Sequence, residues 1–594
     1  MQRGAPAVGA AQLEHVIVLV LENRSFDHLL GYLDHPLSGE FDGLKGKTDL
    51  GNHLDLRRSS SPWYRPEPTT EYLLPVDPDH EHQAVLGQIE QVGGVRNAGF
   101  AHSYMHKVLE TETQANRRHL LRAWSRRLII AAVAAVMVLA AIRLWWWMIV
   151  PVMAALGGLV LAVAMRPKPV TPEEQHAADD RARLVMHGLE SQAVPVLSTL
   201  AREFGVCQRW FSSVPGETWP NRNFFHAGSS SGSVNIELGF YRERTIFHAL
   251  DKAGRSWKVY YGQFPPEVFC FPYVLERSIE CSGRLEDLFE DLERGTLPTY
   301  AFVEPHHGLL GKRPSCSQHP GNNLAGKGDG SDFRSGERLI GEIYQRLKDN
   351  EELFRKTMFV IAYDEHGGLY DHCRPPAATA VAARHDTWSR RLLRWLTARR
   401  FPSGFGFRCL GPRIPCVVIS PWILEHTVDS RDRDHTSIPR TLRKLFAPRS
   451  RALSRREARA PTIDTLLTRS TARSGPELPD IAPAMAQLGS PPLFGHEQTD
   501  AAAEGPRSEF ELRLLYLTDG IKQGTIDRPR RLRIPTRRRR PEAAPPLRTP
   551  KRRRIGPRTR RHLRKMSPQE LVDLYDTTEF QLGALASEQL RRGE

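Results

Sequence analysis

The chain has 594 residues, enough for one large catalytic domain with additions, and a formal net charge of +15. That charge is local: residues 528–565 carry 18 Lys or Arg against one acid, Glu542, a balance of +17 that leaves the rest of the chain at −2. The remainder therefore offers no charge argument for a polyanionic partner. Seven cysteines without a C-x-x-C spacing argue against a zinc knuckle and define no disulfide framework. Cys270 and Cys281 can pair, but unlinked thiols in a reducing compartment are the expectation.

Residues 1–15 contain no basic stretch followed by an apolar core and cleavage site, so no export signal is expected. Residues 16–21, VIVLVL, form a short β-branched apolar run that predicts a strand buried on both faces. The run leads directly into Glu22 and Asn23. Ligands of open α/β sheets sit outside the carboxyl ends of strands, which makes these two residues candidate oxygen ligands for a metal. Further strands are predicted at 257–261, 300–303, 358–362 and 417–420, and apolar residues at helical spacing mark helices at 194–204 and 338–347. This alternation predicts an α/β fold with a mostly parallel central sheet flanked by helices.

Two segments break the rhythm. Residues 128–165 are apolar except for Arg143, with Trp145, Trp146 and Trp147 just beyond it. The run exceeds the roughly 20 residues of one spanning helix, and tryptophans favour the membrane interface. It predicts a hydrophobic hairpin inserted over 117–180, spanning or dipping into a bilayer, with a buried helical pair as the alternative. Arg117, Arg118, Arg122, Arg126 and Arg127 precede the run, and Arg166 and Lys168 follow it. Basic flanks predict a membrane protein whose catalytic domain faces the cytoplasm. Residues 388–400, WSRRLLRWLTARR, read equally as an interfacial helix or as an ordinary amphipathic surface helix.

Beyond residue 446 the sequence loosens. Residues 447–527 are expected to be loosely structured, 528–565 to be a disordered basic tail, and 566–594 to hold a terminal helix. The tail suits contact with anionic lipid or with nucleic acid, or simple solubilisation.

The opening logic recurs at 357–372, TMFVIAYDEHGGLYDH, where a buried strand ends in Asp364 and Glu365. Three carboxylates and one amide suit a hard cation such as Ca²⁺, Mg²⁺ or Mn²⁺ rather than zinc. In PGETWPNR (215–222) a hydroxyl, Thr218, sits in a Pro/Gly-bounded turn and can serve as an activated nucleophile. Asn221 or Arg222 can bind an oxyanion there or brace the loop. In FVEPHH (302–307) a strand ends in Glu304, His306 and His307, which suit phosphate binding and general acid catalysis.

These clusters resemble, in order and phrasing, the bacterial phospholipase C and acid phosphatase phosphoesterase family, within the alkaline phosphatase-like superfamily. The resemblance is carried by ENRSFDHLLGYL (22–33), DPDH (77–80), PGETWPNR, FVEPHH, SQHP (317–320), YDEHGGLYDH, LGPRIPCVVISPW (410–422) and DHTSIPRTLRKLF (434–446). It covers residues 13–116 and 181–446, the two parts of the expected catalytic domain. It implies an alkaline phosphatase-like fold and one divalent metal held by Glu22, Asn23, Asp364 and Glu365. It also implies Thr218 as nucleophile and His306 and His307 as catalytic. His80 and His319, with Asn221, would bind substrate; His82 competes with His80 for its place. The implied activity is phospholipase C-like hydrolysis of phospholipid headgroups. A phosphomonoesterase on soluble esters is the second reading, and a non-enzymatic membrane adaptor with a basic tail the third. Gly228-Ser229-Ser230 stands where Gly-Thr-Ser is expected. The sequence does not define the oligomeric state.

Overall fold

The structure is a computed structural model that describes residues 8–111, 170–236, 241–263, 266–308, 314–322, 324, 332–381 and 405–480. Its centre is an eight-stranded sheet. In chain order the strands are β1 (His15–Leu21), β2 (Gly205–Cys207), β3 (Trp257–Tyr261), β4 (Ser282–Arg284), β5 (Tyr300–Glu304), β6 (Thr357–Tyr363), β7 (Cys416–Ile419) and β8 (Thr427–Asp429). Their spatial order is β8-β2-β7-β6-β1-β5-β3-β4. All neighbours are parallel except those of β7, which runs against both β6 and β2.

The five predicted strands are therefore present, each within a residue or so of its predicted bounds. The three that the apolar pattern does not announce have three residues each, too few for a period to register. β1 and β6 are central and buried along nearly their whole length. That explains why both read as continuous apolar runs and not as alternating ones.

Helices α1 (Phe26–Leu30), α2 (Pro195–Glu203), α3 (Thr218–Ala227), α4 (Ile246–Lys252), α5 (Leu285–Arg294), α6 (Arg334–Asp349) and α7 (Ser437–Phe446) surround the sheet. α2 and α5 both pack on α6, whereas α3 and α4 pack on α7. Strands β1, β5 and β6 run parallel, so their carboxyl ends lie at one edge. β2 shares their direction through two antiparallel steps and leads towards α3 at the same edge. The sheet thereby gathers stretches more than 300 residues apart in sequence.

Several expectations are corrected. Of the region 447–527, residues up to 480 are described, and Ile463, Leu466 and Leu467 are buried in the main core. This stretch uses short turns in place of long periodic elements, so it lacks a helical or strand signature. At the end of the expected insertion, a helix over Pro172–Ala182 buries Ala178 and Ala182 beside Phe100, Tyr104 and Val108. The rest of the expected hairpin, including the apolar run 128–165, lies outside the described residues, as do 388–400, 528–565 and 566–594. The hairpin finds no support. The expected location at a membrane with a cytoplasm-facing catalytic domain is overturned: among the described residues, no helix is long and apolar enough to cross a membrane. Contacts of 128–165 with membrane, and of 528–565 with anionic lipid or nucleic acid, find no support either.

Candidate active site

At the end of β1, Asn23 takes a left-handed backbone conformation, φ +57°. This is costly for a side-chain-bearing residue and is kept where surrounding structure holds it. The holding is visible: the Asn23 N–H donates to Asp364 Oδ1 at 2.9 Å. Gly367 packs so closely on Asn23 that a Cβ would lie 2.1 Å from the Asn23 carbonyl oxygen. The Gly367-Gly368 pair, both at positive φ, therefore lets the two strand ends meet.

Thr218 begins α3 and is wholly buried; its hydroxyl donates to Asn23 Oδ1 at 3.3 Å. The Asn23 amide nitrogen lies 2.9 Å from His319 Nε2 and 3.4 Å from His80 Nε2. His80 Nδ1 donates to the Pro78 carbonyl at 2.9 Å, which leaves Nε2 as the acceptor facing the site. The nucleophile candidate, one ligand candidate and the two histidines expected to bind substrate thus meet around one amide.

Arg222 lies four residues after Thr218 on the same helix, hence on the same face. Fully buried, it donates from Nε to Asp364 Oδ2 at 3.0 Å. Its other nitrogens stand 3.7 Å from Glu22 Oε1 and 3.8 Å from Glu304 Oε2. His307 Nδ1 is 2.9 Å from Glu22 Oε2, and its Nε2 is 3.8 Å from Glu304 Oε2. Burial opposes the His307 charge, but Glu22 and then Glu304 outweigh it and push the ring up to about 9. The imidazole is therefore a cation at neutral pH. Burial, followed by the like charges of Glu22 and Glu365, raises the Asp364 carboxyl despite Arg222.

The remaining predicted residues make local contacts. Asn221 donates to the carbonyls of Val214, Gly216 and Glu217 and accepts the Val214 N–H, bracing the Thr218 loop. His306 is half-buried and accepts the Gly308 N–H on Nδ1 at 3.1 Å. His82 Nδ1 contacts the Pro215 carbonyl, behind the same loop. Sequence reasoning left Arg222 as an oxyanion binder or loop brace, although the four-residue spacing from Thr218 was a usable signal. It also left His435 without a role; its Nε2 donates to the Asp364 carbonyl at 2.7 Å.

Two observations bear on a cation. Glu365 Oε1 is buried without a hydrogen bond, and the buried Glu22 carboxylate is held by ion pairs to His307 and Arg222. Three buried carboxylates (Glu22, Glu304 and Asp364) share the Arg222 guanidinium, and His307 lies beside Glu22 and Glu304. Buried carboxylates with an amide oxygen are the donor types a divalent ion takes, and Glu22, Asn23, Asp364 and Glu365 supply them at two neighbouring strand ends. A tighter acidic group exists elsewhere: ligand atoms of Asp27, Asp371 and His372 lie within 4.8 Å of one another. Protein cations already fill it. Arg413 donates to Asp27 Oδ1 at 2.8 Å and to Asp371 Oδ1 at 2.9 Å, and Asp27 holds His372 protonated, with its ring up to about 9 against the pull of burial. This network ties the segment after Asn23 to the segment after Glu365, and so fixes the spacing of the two strand ends.

A buried hydroxyl at a helix start, facing carboxylates and histidines at the carboxyl edge of a parallel sheet, is equipment for hydrolytic attack on a charged ester. The family model of the Phosphoesterase family matches residues 13–135 and 170–447, and the chain belongs to that family. It is a hydrolase acting on phosphate ester bonds. Non-specific phospholipase C3 of Arabidopsis thaliana is 27% identical over 491 residues, covering 79% of this chain and 77% of that protein. Non-hemolytic phospholipase C of Pseudomonas aeruginosa is 26% identical over 365 residues, covering 54% and 49%. A solved alkaline phosphatase superfamily protein of Vibrio parahaemolyticus is 15% identical, with a TM-score of 0.25 over 43% of this chain and 60% of that one.

Proposed function

We propose that the chain cleaves the phosphodiester between a phospholipid's glycerol and its headgroup phosphate, with Thr218 as nucleophile and one divalent cation held by Glu22, Asn23, Asp364 and Glu365. The observation that carries this reading is the wholly buried Thr218 hydroxyl donating to Asn23, which follows Glu22 in the chain and whose N–H donates to Asp364. When bound, the cation would neutralise phosphoryl charge and lower the pKa of the attacking hydroxyl.

The protein's own groups account for the rest. Asn23 orients the Thr218 hydroxyl, and the start of α3 presents its positive end to an anionic substrate. His307, held as a cation, adds fixed positive charge where phosphoryl oxygens collect. His319 and His80 hold the headgroup phosphate across the Asn23 amide. Half-buried His306 protonates the departing alkoxide, and Asn221 keeps the Thr218 loop in place. Attack forms a phospho-threonine and releases diacylglycerol; water then frees the phospho-headgroup.

The test is Thr218→Ala in the full chain, with phosphatidylcholine micelles and with a small phosphomonoester as parallel substrates. Diacylglycerol release is expected to fall at least about 10³-fold while the thermal transition stays within a few degrees. Release at the wild-type rate removes Thr218 from the mechanism. Phosphate release from the monoester without diacylglycerol would instead make the enzyme a phosphomonoesterase.

A further inference from the structure

The strand pairing that delivers Thr218 also sets two thiols against each other. β2 ends at Cys207 and β7 begins at Cys416. The antiparallel register pairs Val417 with Val206 and Val418 with Gly205, so one step further along the ladder Cys416 stands opposite Cys207. Directly opposed residues of an antiparallel pair have Cα atoms about 4.5–5.5 Å apart, inside the roughly 4.4–6.8 Å window a disulfide needs. Both side chains are wholly buried, and both are free thiols in this structure. Burial first, then the neighbouring Cys207, push the Cys416 thiol well above its ordinary range.

We infer that Cys207 and Cys416 are an oxidisable pair, forming a cross-strand disulfide that staples the strand leading to Thr218 to the core of the sheet. The position gives the bond its consequence. β7 lies between β2 and β6, and β6 carries Asp364 and Glu365 at its end. A covalent link from β2 to β7 therefore constrains the nucleophile's strand relative to one strand of the proposed ligand set. Nothing in this inference depends on which phosphate ester the enzyme cleaves.

The oxidant class is a low-molecular-weight disulfide such as oxidised glutathione. One cysteine thiolate attacks it, forming a mixed disulfide and releasing one glutathione thiol. The second cysteine then attacks the mixed disulfide, closing the protein S–S bond and releasing the second glutathione. Two thiol protons pass to the two glutathione thiolates, and the two electrons from the cysteines reduce the glutathione disulfide. Both thiols are wholly buried, so the oxidant reaches them through local opening at the sheet edge, where β2 pairs with the three-residue β8.

The experiment equilibrates full-length native protein in glutathione buffers of increasing oxidised fraction and quenches in acid. Free thiols are then alkylated in denaturant, and unreduced digests are read by mass spectrometry. The expected result is a fall from seven alkylated thiols to five and a peptide pair joined through Cys207 and Cys416, 2 Da below the summed mass of the two unmodified peptides. The oxidised form is expected to melt about 5 °C or more above the reduced form, with the shift absent in Cys416→Ala. Seven alkylated thiols across the whole series, or a bond between other cysteines, overturns the pairing. A 207–416 bond that leaves the melting temperature unchanged or lower overturns the staple.

Discussion

Replacing Arg222 with methionine removes a guanidinium that three wholly buried acids share, at 3.0 Å from Asp364, 3.7 Å from Glu22 and 3.8 Å from Glu304. Methionine matches much of the volume, so the loss is chiefly electrostatic. Removing one partner of a buried ion pair costs about 3–5 kcal/mol, because the other charge stays buried and uncompensated. Two compensations limit that cost. Asp364, already pushed up to about 7 by burial and by Glu22 and Glu365, can take a proton. A divalent cation can replace the lost charge, adding about 2.7 kcal/mol at a hundredfold excess over its dissociation constant. Urea denaturation of Arg222→Met in chelator should therefore show a loss of about 3–5 kcal/mol at pH 8, smaller at pH 6. Added Mn²⁺ or Mg²⁺ should recover more stability in the variant than in the wild type. A loss below about 1 kcal/mol in chelator, or identical metal dependence in both proteins, would refute the view of Arg222 as the internal counter-cation.

Stability in chelator should decline as pH rises through about 9. His307 and His372 both have folded pKa values raised to about 9 from 6.5, held up by Glu22 and by Asp27 respectively against burial. Their stabilisation is fully present below pH 6.5 and is lost as pH passes 9. His372→Asn should flatten that decline, and a wild-type stability that climbs between pH 6.5 and 9 would contradict the assignment. Gly367→Ala should cost more than about 2 kcal/mol, since its Cβ would lie 2.1 Å from the Asn23 carbonyl at a positive φ. Activity should fall with it as Asn23 shifts, and a fully active, fully stable variant would show that the two strand ends need not meet so closely.

Some of the active site was legible without coordinates because its parts are local. Residues 16–21 and 358–362 announce buried strands by composition alone, and the polar residues that follow must then lie at a sheet edge. The chemistry of each cluster could be read from side-chain types: oxygen donors beyond β1 and β6, a hydroxyl between Pro215 and Pro220, and histidines beyond β5. Where the signal was compositional, it said less about tertiary placement. The run 128–165 suggested a membrane hairpin that finds no support, and 447–480 looked loose although Ile463 and Leu467 belong to the main core.

The sequence by itself determined which elements form and which side chains can do chemistry, because periodicity and functional groups are properties of short stretches. Only the tertiary structure decided what those side chains do to one another. Asn221 and Arg222 are neighbours in the chain, yet one braces a loop and the other sits among three acids. Asp371 follows the metal-ligand candidates by only a few residues, yet Arg413 draws it into an ion network. These assignments depend on distances between residues 42 to 200 positions apart in the chain. Strand order and burial set those distances, and local sequence carries neither.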